Sequence, residues 1–297
     1  MKKIISAFIL LSIVISMFSC AASNKDEGIS VVTTSFPIYS FVCEILGEEG
    51  NASLLLKPGQ DSHSYEPSGK DILEIRNCDL FVCIGGHDEA WAKKLLNGKD
   101  LKNVTSLSLI SAVYGEGDEN GEGYDEHIWT SPKKAVIMVQ TISDKLCEIF
   151  PDKADIFSEN TEAYLMKLSA LDASLTEIVK NAKRDTVVFA DRFPFYHLTN
   201  DYGINYIAPY AGCTDMTEPS VSDVTDLISR IKNDGIKTVF VTPFGNGKLA
   251  KTVCDETGSE ILTLHPISNI TREEQQNKET YISIMEKNLE ALKNALS

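Results

Sequence analysis

The chain of 297 residues has no close CxxC pair and no HExxH run. The first absence argues against a thiolate zinc cage, and the second against a zinc hydrolase that pairs its metal with a general base on one helix face. No segment resembles a nucleophile with a paired base, a phosphate loop or a dinucleotide turn, so no catalytic class stands out. Positive charge is scarce: 28 Lys and Arg face 43 Asp and Glu, for a formal net charge of −15. That balance speaks against nucleic acid and anionic membrane surfaces as partners, and it mildly favours the collection of cations. Beyond the N-terminal run, no stretch is long and apolar enough to cross a bilayer.

The N-terminal run itself is informative. Met1-Lys2-Lys3 precedes an apolar segment from Ile4 to Phe18, broken only by Ser6, Ser12 and Ser16. A positive start, a short apolar centre and small residues at its end make a secretory signal. Its tail, MFSC, resembles a bacterial lipobox with Met17 where leucine is usual, so Cys20 is expected to become the lipidated first residue. The alternative is a plain signal cut nearby. The signal segment spans 1–20 with Cys20 at the junction, and the loss of Lys2 and Lys3 makes the mature charge −17. Beyond Cys20 six cysteines remain, at 43, 78, 83, 147, 213 and 254. An even count outside the cytoplasm permits disulfides. Cys43, Cys78, Cys83, Cys147 and Cys254, however, fall in or beside apolar segments, which favours free thiols.

Strand and helix alternate along the mature chain. Strands are expected at 29–34, 52–56, 80–84, 104–109, 186–190, 205–208, 238–242 and 260–264, with helices between them. This alternation predicts an α/β fold with mainly parallel sheets flanked by helices. Residues 152–182 contain neither proline nor glycine, and Ile156, Tyr164, Leu165, Leu168, Leu171, Leu175 and Ile178 recur at helical spacing. One stiff helix of roughly 45 Å would span them. The organisation expected is a lobe over 28–151, a connecting helix over 152–182 and a second lobe over 183–297. Gly115 to Glu126, GEGDENGEGYDE, is acidic and glycine-rich and reads as a mobile loop.

Ligands of open α/β sheets collect at the carboxyl ends of strands. Four candidate metal ligands share that position. His63 lies in GQDSHSYEPSGKDI, between Pro58-Gly59 and Pro67; His127 lies in DEHIWTSP; Asp191 follows a strand; His265 ends another in LTLHPIS. Three imidazoles and one carboxylate suit a closed four-coordinate zinc site, although no local spacing ties the four together. The other candidates read as ordinary residues. His87 reads as a solvent-facing histidine. His197 takes a structural role, with backing of the site as the alternative. Glu66 is expected to fix its loop by hydrogen bonds, and Trp91 and Trp129 to be core or lobe-face residues.

GQDSHSYEPSGKDI resembles the motif D-P-H-x-Y-E-P-[ST]-x-x-D, and DEHIWTSP resembles D-P-H-x-W-x-[DS]-P. Both belong to the zinc and manganese receptors among the solute-binding lipoproteins of ABC transporters, and the resemblance covers essentially all of the mature chain. It implies two α/β lobes joined by the long helix, with one metal held between them by His63, His127, Asp191 and His265. The third position is usually histidine or glutamate; FADRFPFYHLTNDYG offers Asp191. The fourth is usually an aspartate in L-x-L-D-P-L, and this chain has His265 there. One acid instead of two tilts the expected metal from Mn²⁺ to Zn²⁺. The resemblance further implies a non-catalytic monomeric receptor on the outer face of a bacterial cytoplasmic membrane, held by its lipid anchor and delivering metal to an ABC permease. The alternatives are a manganese receptor of the same family, an adhesin-type surface lipoprotein with structural metal and a secreted metal-dependent hydrolase.

Overall fold

The computed structural model describes residues 28–98, 101, 103–115, 125–209 and 219–297. The signal segment with Cys20, most of the acidic loop and Cys213 lie outside the described residues.

The first strand, β1 (Ile29–Thr33), pairs in parallel with β2 (Gly50–Leu54) on one side and β3 (Leu80–Cys83) on the other, and β4 (Ser106–Ser108) extends the sheet in the order β2-β1-β3-β4. β3 reads LFVC and is buried throughout, as a strand covered on both faces should be. The pleat divides its neighbour's side chains: Val31 enters one apolar core and Val32 the other. Helix α1 (Phe36–Leu46) follows β1, and α2 (Gly69–Asn77) opens on a capping box in which Ser68 accepts from the Asp71 N–H and Asp71 returns the bond. α3 (Ala90–Leu96) follows β3. A short helix, α4 (Ile110–Tyr114), follows β4.

The second lobe repeats the plan in smaller units. β5 (Thr186–Val188) pairs in parallel with β6 (Asn205–Ile207), and β7 (Thr238–Val241) with β8 (Glu260–Thr263). A single bridge, Phe189 to Phe240, joins the pairs, and the Ala190 N–H donates to the Phe240 carbonyl at 3.0 Å. The expected strands run one or two residues longer than those observed. α7 (Tyr196–Tyr202), α8 (Val221–Asp234), α9 (Lys248–Thr257), α10 (Arg272–Gln276) and α11 (Tyr281–Leu296) complete this half.

Between the halves, α5 (Pro132–Ile149) leads through a 3-10 turn at Pro151–Lys153 into α6 (Ala154–Lys180). The turn shortens the long helix relative to 152–182; its 27 residues give a length of roughly 40 Å. Phe157, Thr161, Tyr164, Leu168, Leu171 and Leu175, spaced by threes and fours, are its buried face. Each buried leucine stabilises by about 1.5–3 kcal/mol on burial alone. That face does more than connect. It belongs to one apolar core that runs from Val31 and Phe41 in the first half to Phe189 and Leu292 in the second. α11 crosses back onto the first half: the Tyr281 hydroxyl donates to the Trp129 carbonyl at 2.6 Å, and its ring meets Phe41 edge-on at 4.8 Å.

Cys43, Cys78, Cys83, Cys147 and Cys254 are free thiols, as expected, though Cys43 is exposed on α1 rather than buried. Burial pushes the Cys78 thiol up to about 11 and Cys83 well above its ordinary value, so both stay protonated at neutral pH. Among the described residues no helix is long and apolar enough to cross a membrane.

Candidate metal centre

The loop from β2 to α2 carries His63, and it is held from several sides. The His63 N–H donates to Asp61 Oδ1 at 3.0 Å. The Tyr65 hydroxyl donates to Asp71 Oδ2 at 3.0 Å while its ring packs on Trp91. From the other half, the buried Asn269 amide donates to the Lys57 carbonyl at 2.7 Å and to the Gln60 carbonyl at 2.8 Å. Glu66, expected to fix this loop, is exposed; Asp61, Tyr65, Asp71 and Asn269 do that instead.

His63 Nδ1 lies 2.5 Å from Asp88 Oδ2, and His127 Nδ1 lies 3.0 Å from Asp125 Oδ1. A carboxylate at Nδ1 places the proton of the neutral ring there, so Nε2 keeps the lone pair that a metal requires. Burial works to raise Asp88, but the bond and charge of His63 and the charges of His127 and His87 hold it below the ordinary carboxylate range. Asp125 follows the same logic: burial opposes ionisation, and His127 more than offsets it. Both partners are therefore ionised at neutral pH. The two imidazole centroids are 5.5 Å apart.

A third layer fixes these partners. Glu126 accepts from the Asp88 N–H at 3.0 Å. It approaches Gly86 so closely that a Cβ there would lie 2.1 Å from its carboxyl carbon. His197 Nε2 donates to the Asp125 carbonyl at 2.7 Å, and burial lowers its pKa, so it serves as a neutral donor. His197 is thus buried behind Asp125, two bonds removed from His127. His87 is exposed, as expected, while its neighbour Asp88 in GGHDEAW does the work. Trp129 is buried beside His127, and its indole N–H donates across the halves to the Pro266 carbonyl at 2.7 Å.

His63 and His127 line a cavity of about 420 Å³ between the halves. Its far wall comes from the loops after β5 and β7 and includes Asp191, Arg192, Gly245 and Lys248. Asp191 is already engaged: Oδ2 accepts from the Thr242 N–H at 2.9 Å and hydroxyl at 2.7 Å, and Oδ1 accepts from the Arg192 N–H at 2.8 Å. Gly245 is needed beside it, since a Cβ would sit 2.0 Å from Oδ2. Arg192 Nη1 reaches Asp61 Oδ2 at 3.3 Å across the cavity.

Of the four candidate ligands, the structure brings His63, His127 and Asp191 to this cavity and places His265 behind its wall. His265 Nδ1 accepts from the Ile267 N–H at 2.8 Å, which puts the proton of the neutral ring on Nε2. Nε2 is buried and lies 3.4 Å from Glu274 Oε1 without a well-formed hydrogen bond. Burial tends to raise Glu274, but His265 and Thr271 bring it down to about 2. The backbone turn that directs the Ile267 N–H inward carries Ile267 at φ 63°, an uncommon conformation for a β-branched residue. Among the described residues no group of three or more His, Cys, Asp or Glu is arranged to hold a metal. The closed four-ligand arrangement expected from the sequence is therefore not formed by the described side chains.

The family model described as zinc-uptake complex component A, periplasmic, matches residues 31–295. The chain belongs to this family. It is 34% identical to the zinc-binding lipoprotein AdcA of Streptococcus pneumoniae over 99% of its own length and 61% of that protein's, so it spans about three-fifths of that relative. It is 28% identical to the high-affinity zinc uptake system protein ZnuA of Bacillus subtilis, covering 93% of this chain and 90% of that one. Among solved structures, the Zn(II)-bound ZnuA-like domain of pneumococcal AdcA superposes with a TM-score of 0.78 at 32% identity, covering 91% of this chain and 99% of the domain. The laminin-binding protein Lmb of Streptococcus agalactiae gives 0.78 at 26% identity, covering 91% of this chain and all of that one.

Family membership accounts for the two histidine motifs but not for their partners. Asp88, Asn269 and Thr242 stand outside both motifs and were missed. Asp88 carried a usable signal, because it lies just past β3 at the same strand-end position as the candidate ligands. Thr242 and Asn269 carried none, since their importance rests on contacts 51 and more than 200 residues away.

Proposed function

We propose that this protein is an extracytoplasmic solute-binding lipoprotein that captures Zn²⁺ between its halves and delivers it to an ABC permease. The observation that carries the reading is the pair of buried-side imidazoles, His63 and His127, each with a carboxylate on Nδ1 and Nε2 in the ligating tautomer. Imidazole oriented by a carboxylate suits Zn²⁺ better than the harder Mn²⁺, which prefers oxygen. Two imidazole nitrogens suit the metal as cargo, while Asp191, which lines the same cavity, spends its oxygens on Thr242 and on the Arg192 N–H. His265 in this reading anchors its turn rather than the metal. The reading is of a binding protein without catalytic activity. Cys20 is its lipid anchor, on the outer face of the cytoplasmic membrane, and the protein acts as a monomer.

Native mass spectrometry of the mature chain tests the core of this reading. One Zn²⁺ per chain is expected, and its loss in a His63→Ala, His127→Ala double variant of unchanged fold. A wild-type chain that takes no Zn²⁺ at micromolar concentration overturns it. Radiolabelled fatty acid incorporation that survives Cys20→Ser would refute the anchor. A second reading, a surface adhesin using the same metal site, draws support from the likeness to Lmb, whose structure is described as bifunctional, with adhesin and metal-transporting activity. Growth of a deletion strain under zinc limitation separates the two, since only a transport receptor leaves a deficit that added zinc corrects.

A further inference from the structure

The two histidine motifs of this chain share a departure. Where D-P-H-x-Y-E-P and D-P-H-x-W-x-[DS]-P place proline before the histidine, this sequence has Ser62 and Glu126. Proline fixes its own φ and restricts the residue before it, so both loops lack a local restraint on the backbone that carries the ligand. A contact between the loops stands in its place. Glu126, one residue before His127, accepts from the Asp88 N–H through both oxygens, at 3.0 and 3.2 Å, and the His87 N–H also bonds it. Asp88 in turn holds His63 Nδ1 at 2.5 Å. A continuous path therefore joins the imidazoles, from His127 through Glu126 and Asp88 to His63.

The packing around Glu126 is fitted to this contact. A Cβ at Gly86 would lie 2.1, 2.4 and 2.5 Å from three atoms of the Glu126 side chain. Gly86 is not in the left-handed region, so glycine stands there for room and not for its backbone freedom. Charge alone would not select the position, because the neighbouring carboxyls of Asp88 and Glu89 oppose that of Glu126. Backbone N–H donors hold it there. We propose that Glu126 is a positioning residue that couples the two metal ligands: by holding the Asp88 backbone from the His127 loop it sets the His63 ring, and the imidazoles are presented as a pair. The value of this coupling to Zn²⁺ rests on the proposed zinc-binding function; the coupling itself does not.

The mature chain is read in two ways. In the metal-free protein, long-range proton–nitrogen NMR reports which nitrogen of His63 carries the proton. Wild type should show Nδ1–H, and Glu126→Ala a mixture of tautomers, although His63 and Asp88 are both intact. Zn²⁺ affinity, from dye competition, should fall about threefold to tenfold in Glu126→Ala, less than for a partner that touches the ring. Asp88→Ala with Glu126→Ala should bind no more weakly than Asp88→Ala alone, because there is then no carboxylate to position. Gly86→Ala should reproduce the Glu126→Ala loss without removing a charge, and should cost nothing further in the Glu126→Ala background, where the side chain it strikes is gone. Glu126→Gln keeps an acceptor for the Asp88 N–H and should retain more of both readouts than Glu126→Ala; thermal melts verify that each variant is folded. Losses that multiply in the Asp88→Ala, Glu126→Ala pair overturn the coupling and leave Glu126 as an independent charge. Wild-type tautomer and affinity in Glu126→Ala or Gly86→Ala, even with a lowered melt, reduce the contact to a support of the fold. A wild-type chain that takes no Zn²⁺ removes the zinc reading, while the His63 tautomer still decides the coupling.

Discussion

The two walls of the cavity are built from the same topological part, the loop at the carboxyl end of a parallel strand, and they behave differently. On the first wall His63 and His127 have their inner nitrogens bound by Asp88 and Asp125, and the outer nitrogens are directed by that bond. On the second wall Asp191 spends both oxygens on Thr242 and on the Arg192 backbone, and Arg192 itself reaches across to Asp61. A side chain's suitability as a ligand is thus set by what stands behind it. A carboxylate behind an imidazole prepares it to bind metal; donors in front of a carboxylate satisfy it and withdraw it.

The largest effect should come from the first wall. His63→Ala or His127→Ala is expected to weaken Zn²⁺ binding by at least about a hundredfold, since half of the proposed protein nitrogens disappear, a loss at or beyond the upper end of what support residues cause. Competition with a zinc-sensitive dye measures it, and a change below threefold would break the comparison at its root. Next come the carboxylates behind the rings. Asp88→Asn and Asp125→Asn keep the shape but remove the charge, and roughly tenfold to a hundredfold weaker binding is expected for each. Equal affinity in both variants would mean that ring orientation does not matter here.

The second wall should respond in a different currency. Asp191→Asn is expected to change Zn²⁺ affinity by less than about threefold. It should lower stability by about 1–3 kcal/mol because the amide keeps one acceptor oxygen, so either the two Thr242 donors on Oδ2 or the Arg192 N–H on Oδ1 loses its partner. Calorimetric melts and the same dye assay read the two quantities separately; a large affinity loss with an unchanged melt would restore Asp191 as a ligand. The smallest effect concerns the clamp between the halves, where Asp201 accepts from Ser131 at 2.6 Å and Lys134 at 2.6 Å. Burial opposes its ionisation, but Lys134 and Ser131 bring its pKa below the ordinary value. A depressed carboxylate stabilises the fold above its unfolded pKa of about 3.9, and that contribution fades as pH falls through the lower folded value. Asp201→Asn should therefore melt a few degrees below wild type at pH 7, and the gap should narrow towards pH 3. A gap that widens on acidification contradicts the sign.

Much of the fold was legible because local rules agreed with the tertiary result. The periodicity over 152–182, free of proline and glycine, announced α6, and the alternation of strand and helix announced the parallel sheets. The first wall was legible for a similar reason: a histidine, a proline and a helix start lie within a few residues of one another. The second wall was not. Whether Asp191 is available depends on Thr242, and which nitrogen of His265 carries the proton depends on the direction of one N–H at Ile267. A turn at positive φ on a branched residue leaves no mark in composition or spacing, so LTLHPIS could not disclose it.

The shared core has a consequence for how the protein melts. One cluster of side chains reaches from β1 to α11 through α6, so although each half keeps a smaller core of its own, the loss of either half strips the other of its largest interior. Heat should unfold both together, in one calorimetric transition whose van't Hoff and calorimetric enthalpies agree. Cargo held at the cavity would then protect every helix alike: at a free concentration a hundred times its dissociation constant it adds about 2.7 kcal/mol to the whole chain. Hydrogen exchange at amides of α6, far from any metal ligand, would slow by the same factor as those beside His63 that exchange through global unfolding, and the most remote part of the molecule would report whether the receptor is loaded.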